Sequence, residues 1–471
     1  MSNSAADSHA LAVESHGIDY IPPDARHGSP RSQFSVRFAP AVYAAPMVIG
    51  ALAINLGLGL VGAITALVAA NYLAGLLVGV FAAMGPKMGM PQMAIGRMTF
   101  GFIGNRLPSI LTALTAVGYF SLGVAVSARA LESALNAPYF LMFAIVAVVG
   151  ILLTAYGYDL LHLASRWVTY LGVGIFVLTT VCAIGHAGDM QVASTLNTGD
   201  FWLNWSMVFA TAFSINGSWV IAASDYSRYL PADSKTSSIV IAAGLGTATG
   251  YAWPMVLGAL VTATTVNGAG DVFEGLDNVL PGVIGPIAIA LLGISSIPHN
   301  SANHYTGVMS TLAAGVRISR VKLTYIVGVV GVVAALSFTG EQFQTNFSNL
   351  MVLVGHFIMP WAAVMFVDFY FFRSKRWGFP AATALYRNEG EFGGVNWAST
   401  ASFVGAAALT VPLMANSLYT GPLGSALGVD ISGPAAFVVG GILYLVLGST
   451  ITRRRGTSAG NPSQAAAAVA D

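Results

Sequence analysis

Long apolar runs separated by short polar connectors set the pattern of this chain. Runs long enough to cross a hydrocarbon core of about 30 Å occupy residues 38–62, 65–84, 108–131, 137–156, 167–185, 203–224, 237–261, 279–312, 324–338, 350–372, 398–418 and 434–451. They predict twelve membrane-spanning helices in an all-α polytopic membrane protein. The first, third and eighth runs exceed the length of one crossing, which predicts tilt or interruption. Residues 1–37 are polar, rich in Ser, Pro and His, and lack the apolar core of a secretory signal. They read as a cytosolic arm, residues 38–452 as the membrane domain, and residues 453–471 as a cytosolic tail.

Polar residues interrupt this pattern where they are expensive. The eighth run carries GISSIPHNSANHYTGVMS at 293–310, near the centre of the expected span. Ser296, Asn300 and Asn303 fall at i, i+4 and i+7, so one helix face bears an alcohol and two carboxamides. Such groups survive in hydrocarbon facing the bundle interior or a wet cavity, and there they are candidate functional residues. The first run holds Pro40 and Pro46 followed by several glycines, and the sixth holds Ile215-Asn216-Gly217-Ser218 at its centre. If spans one to five (38–185) and six to ten (203–372) form two halves, these runs correspond in inverted topology, with 398–451 left as two peripheral helices. Paired breaks at corresponding positions of inverted halves point to a transporter site, because unwound backbone exposes amides and carbonyls to substrate and ion. Gly and Pro also serve close helix packing in membranes, so either break alone has a second reading.

Composition and charge change the picture only in part. The chain has 471 residues, 55% hydrophobic and 8% charged, with a mean hydropathy of +0.72; a soluble protein needs far more charge. A net charge of +1 excludes a global basic field for nucleic acid. Cys182 is the single cysteine, so neither an internal disulfide nor a cysteine metal cluster is expected. With the amino terminus inside, nineteen of the twenty Lys and Arg residues fall on inner segments, as short cytosolic loops require. The twentieth, Arg129, stands three residues before Glu132, the spacing of a helical ion pair. Outer loops carry Asp189, Asp200, Asp271, Glu274, Asp277, Glu341 and Asp430. Both chain ends are therefore expected in the cytosol, in a plasma (inner) membrane.

Several residues carry candidate chemistry. Tyr119 and Phe120 in the third run either pack among helices or offer a stacking platform for a planar ligand. Trp219, just past the sixth-run break, is a candidate second face. Asn300, Asn303 and Asn216 each present a donor and an acceptor, which suits the edge of a base-like ring and equally suits interhelical hydrogen bonding. No unpaired carboxylate or arginine sits mid-membrane in the first, third, sixth or eighth run, which favours a neutral polar ligand over a strong anion. His299 and His304 lie five residues apart on different helical faces, which argues against a shared metal. His299 has two readings, a proton relay or a satisfied interior histidine. Asp225 and Arg228 at the inner end of the sixth run either pair structurally or serve an inner gate, and Asp368 before Arg373 has the same two readings. No metalloprotease or serine-hydrolase motif occurs, so an enzyme is not expected and no cofactor is implied.

The stretches GPKMGMPQMAIGRMTFGFIGNRLP (85–108), GYFSLG (118–123), SDYSRYLP (224–231) and SSIPHNSANHYTGVMS (295–310) resemble the nucleobase:cation symporter-1 family, in its purine and cytosine permease branch. The resemblance implies a leucine transporter-type five-plus-five inverted repeat with two peripheral helices, working by alternating access. It places substrate between the first, third, sixth and eighth helices. Tyr119 then takes the place of a stacking tryptophan; the sixth helix contributes Ser214, Asn216, Gly217 and Trp219, and the eighth Ser295, Ser296, Asn300 and Asn303. Sodium-dependent relatives carry hydroxyl side chains just before the first substrate-facing asparagine. With Asn300 in that register, Pro298 and His299 stand there instead. Ser295 and Ser296 remain oxygen ligands for Na+, whereas His299 suits H+.

The expected function is import of a neutral nucleobase, cytosine or a purine, by cation symport. The alternatives are a related heterocycle, such as a hydantoin, allantoin or a pyridine vitamer, and a passive channel, which the lack of a repeated filter or charged ring disfavours. The expected partners are the small-molecule substrate and the lipid bilayer.

Overall fold

The computed structural model describes residues 19–450 except 157, 266–270, 340–342, 387–390, 393 and 416–417. The expected tail and the first eighteen residues of the arm lie outside the described residues. Each of the twelve expected spans coincides with a helix. Among the described residues eight are long and apolar enough to cross alone, and the two halves of the first span together make a ninth. The fifth ends in an apolar stretch, Tyr170–Gly185, and the eleventh, Trp397–Leu413, is short. The eighth, Ile284–Ala313, runs 30 residues with a polar centre.

Local chemistry moves several boundaries. The first span is broken, with Ser32–Ala41 and Ala44–Asn55 meeting at 65°. Pro40 sits in the 3-10 turn Ala39–Ala41, and Tyr43 is extended (φ −152°, ψ 176°). Pro46 falls in the first turn of the second half, where a missing N–H costs no helical hydrogen bond. The first helix ends at Asn55, not residue 62, because Gly57 (φ +80°) and Gly59 (φ +66°) turn the chain and the second span starts at Gly59. The sixth is α-helical over Thr198–Gly217, tightens to a 3-10 turn at Ser218–Ala222 and resumes at Ala223–Ser227, so the interruption falls at the expected place. The eighth begins at Ile284, not 279; Val272–Val279 is a separate short helix set off by Pro281-Gly282. It and the third span, Arg106–Leu135, run without interruption. The tenth, Phe343–Val367, continues as a π-helix over Asp368–Trp377.

The spans pack in two groups. The seventh, Thr236–Thr262, lies most heavily against the second and also against the first, and the sixth lies on the second. The third packs most heavily on the eighth, joined by the fourth and ninth. Helices at corresponding positions of the two inverted halves thus share a group: one, two, six and seven against three, four, eight and nine. Glycines permit the closest approaches. A Cβ on Gly50 would overlap the Met255 carbonyl, and one on Gly258 that of Met47, so the first and seventh spans meet backbone to backbone. The arm lies across the connectors that follow spans two and six: Ile21 N donates to Gly89 O (2.9 Å) and His27 N to Tyr229 O (2.6 Å).

Candidate functional site

A cavity opens where the first-span break faces the third, sixth and eighth helices. Tyr43, Tyr119, His299, Asn300 and Asn303 line it, with Gly123 and Ile215 beside them. The eighth helix turns its whole polar face inward: Ser295, Ser296, His299, Asn300, Ser301, Asn303 and His304 are all buried. The His299 ring stacks on Tyr43 at 3.8 Å and meets the Trp219 edge at 5.5 Å. His299 Nδ1 and Asn300 Nδ2 are buried without a hydrogen-bond partner. The Asn300 carboxamide occupies space left by Gly123, where a Cβ would overlap it. Tyr119 is aimed by the sixth-span break, its hydroxyl donating to Ser218 Oγ (3.0 Å), which donates to Ile215 O (2.7 Å). Two aromatic rings, two carboxamides and an imidazole therefore border one space, and among the described residues no carboxylate or guanidinium lines it.

This arrangement is matched by what the chain resembles. Residues 20–440 match the family model for permeases for cytosine/purines, uracil, thiamine and allantoin. The chain belongs to this family. It is 28% identical over 459 residues to a putative purine-cytosine permease, YxlA, of Bacillus subtilis, covering 93% of this chain and 96% of that one. It is 25% identical to the purine-cytosine permease fcyB of Emericella nidulans, covering 93% and 88%. Among solved structures, the nucleobase-cation-symport-1 transporter Mhp1, in a closed conformation with bromovinylhydantoin bound, superposes with a TM-score of 0.74 at 16% identity, covering 93% of this chain and 96% of that one. That likeness establishes the leucine transporter-type fold. The protein is a transporter and not an enzyme.

Not every residue singled out in the sequence borders the cavity of the permease. Phe120 is turned away, buried against the His304 ring (4.8 Å) and beneath Gly331 of the ninth span. Asn216 donates to Asn71 Oδ1 (2.9 Å) and Asn71 O (3.2 Å), tying the sixth span to the second. Ser214 faces Gly355 of the tenth span, and Gly217 packs near Met359. Trp219 reaches the site only through the edge it offers His299; its indole N–H donates to the Tyr251 hydroxyl. Ser295 and Ser296 both donate to Leu292 O (2.8 and 2.9 Å), which leaves their oxygen lone pairs as acceptors. His304 lies off the cavity, its Nε2 at 3.0 Å from Thr324 O. Tyr43 and Gly123 line the cavity without having been singled out in the sequence. Tyr43 has a legible signal, an aromatic between two prolines at a helix break.

The end of the bundle that carries the arm holds two polar clusters. Asp225 Oδ1 accepts from Gln92 N (2.8 Å), capping the short helix Gln92–Phe100. Arg228 donates to Asp19 O (3.4 Å) and Tyr229 Oη (3.1 Å). Burial alone would lower the Arg228 pKa, but Tyr229, Asp225 and Tyr305 outweigh it and hold the guanidinium above its ordinary value. Asp368 pairs with Arg373 (3.3 Å) and accepts from Thr99 (2.9 Å) and Tyr444 (2.8 Å). Arg373 also bonds Glu391 (2.7 Å) and Met98 O (2.9 Å), so the cluster joins the tenth and twelfth spans to the connector between spans two and three.

Proposed function

We propose that the permease imports a neutral nucleobase, cytosine or a purine, by proton symport with alternating access. One observation supports the reading above others: the unpartnered Asn300 Nδ2 and His299 Nδ1 border the same cavity as the Tyr43 and Tyr119 rings. A flat heterocycle seated there stacks on an aromatic face while its edge supplies the missing partners. A strong anion would find no countercharge in the lining. In this reading Asn300 and Asn303 read the ring edge, Tyr119 supplies stacking area, and Ser214, Asn216 and Gly217 hold the sixth-span break in shape.

His299 is the coupling residue in this proposal. It stacks on Tyr43 at the first-span break while bordering the cavity. Protonation there places a cation between the two groups of helices, against the Tyr43 ring and next to substrate, and loss of the proton removes that charge. Ser295 and Ser296 are the competing Na+ ligands. Asp225 and Arg228 act at the inner gate by holding the connector and the arm. The distribution of Lys and Arg supports both chain ends being cytosolic, and the import proposed here places the permease in the plasma membrane.

Purified protein in liposomes tests this with labelled cytosine, adenine, uracil and hydantoin, imposing pH and Na+ gradients separately. Accumulation of cytosine or a purine under the pH gradient is expected. The bromovinylhydantoin bound to Mhp1 favours a related heterocycle as the second reading, and preferential hydantoin uptake selects it. No accumulation under either gradient refutes symport of these compounds.

A further inference from the structure

Two buried arginines join the short helix Gln92–Phe100 to its neighbours at the end of the bundle that carries the arm, and they are held in opposite ways. Arg373 of the tenth span donates to Met98 O (2.9 Å) and pairs with both Asp368 (3.3 Å) and Glu391 (2.7 Å). Thr99 donates to the same Asp368 (2.9 Å), while Asn396 and Ser399 of the eleventh span donate to Thr99 O (2.8 and 2.9 Å). This end of the helix is a fixed joint, because parting a buried ion pair strands a charge.

Arg97 makes the other joint. Its guanidinium donates to Ala313 O, at the last residue of the eighth span, and to Leu385 O, both at 3.4 Å, which is long for an N–H···O bond. The Phe102 and Tyr386 rings flank it at 4.8 and 5.7 Å. Among the described residues no carboxylate lies within ion-pair distance of Arg97, and its Nε is buried without a hydrogen-bond partner. Burial pulls its pKa below the ordinary value; Tyr386 opposes that shift and the charge of Arg106 adds to it. What holds this cation is the negative end of the eighth helix and two aromatic faces. Parting them leaves only neutral carbonyls and a guanidinium, which water solvates at once, so this joint is cheap to open and to remake.

Among the described hydrogen bonds, no other joins the helix Gln92–Phe100 to the eighth span. That span also carries Asn303 of the cavity lining, ten residues before Ala313 and so about 15 Å along the helix axis. We propose that Arg97 is the releasable latch of the arm end. Seated on the Ala313 carbonyl it keeps that end shut beneath the cavity, and it lets go when the eighth span swings outward. This rests on alternating access as proposed above and names the contact that has to break.

The test is the rate at which a maleimide labels single cysteines in purified protein. Cys182→Ala removes the single native thiol. Ser310→Cys then reports on the eighth span: Ser310 is buried and, seven residues beyond Asn303, shares its helix face. Ser402→Cys, buried in the eleventh span, reports on general loosening. Adding Arg97→Gln should speed labelling at position 310 by about 5- to 30-fold, the population shift expected from losing two bonds made by a charged group, and should leave position 402 slow. Arg97→Lys keeps the charge at the helix end and should give the same pattern at smaller amplitude, so it serves as the test if Arg97→Gln yields no folded protein. An unchanged rate at position 310, or rates that rise together at both positions, overturns the latch. Labelling does not require transport, so a latch that fails here leaves accumulation of base in liposomes untouched, whereas absence of accumulation by the wild-type protein strikes the transport proposal itself.

Discussion

At the scale of single residues, the cavity is defined as much by a missing side chain as by those present. Gly123 leaves room for the Asn300 carboxamide, so two different changes should converge on one phenotype. Asn300→Ala should lower uptake at least tenfold while the protein still reaches the membrane, and Gly123→Ala should do nearly the same by displacing the carboxamide. Transport assays paired with surface quantification check both; normal uptake by Asn300→Ala would assign Asn300 to packing. Tyr119→Phe keeps the ring but loses the bond to Ser218. A net hydrogen bond contributes about 1 kcal/mol, so KM should rise by roughly threefold to tenfold with little change in maximal rate.

At the scale of elements, contacts between spans carry the argument. Gly50 lets the first span touch the backbone of the seventh at Met255. Gly50→Ala must push the two apart beside the break that carries Tyr43, so it should lower both the melting temperature and transport. A cluster of buried polar groups around Asp368 and Arg373 holds the tenth and twelfth spans to the connector between spans two and three. Asp368→Ala leaves Arg373 buried with Glu391 as its remaining carboxylate and should cost about 3 kcal/mol. Thermal unfolding of detergent-solubilised protein measures this; a melting temperature equal to wild type would show that Glu391 alone suffices.

At the scale of the whole molecule, the two groups of helices meet at the cavity, and His299 of one group stacks on Tyr43 of the other. If that contact couples ion to substrate, His299→Gln should still bind nucleobase yet fail to accumulate it against a gradient. Counterflow exchange in liposomes separates the cases: exchange retained with uphill uptake lost supports coupling through His299. Wild-type-like uphill uptake in the variant would return the coupling role to Ser295 and Ser296.

Much of this molecule is legible along the chain because membranes impose simple rules. Apolar length and the placement of Lys and Arg reveal the spans and their inversion, since hydrocarbon forbids unpaired backbone and loops collect positive charge on one side. The eighth-span asparagines and the breaks in the first and sixth helices were readable for the same reason, as polar or broken segments in an apolar setting. Which face each side chain takes was not. Tyr119 and Phe120 are neighbours, yet one lines the cavity and the other packs beneath Gly331; Asn216 looked like a ligand and instead bonds Asn71. Such outcomes depend on helix rotation and on the partner across the contact, neither of which periodicity specifies when both faces of a helix are apolar. Tyr251 is the extreme case. Nothing near it in sequence marks it, and its bond from Trp219 appears only when the sixth and seventh spans are brought together, because a hydrogen bond is a property of pairs in space.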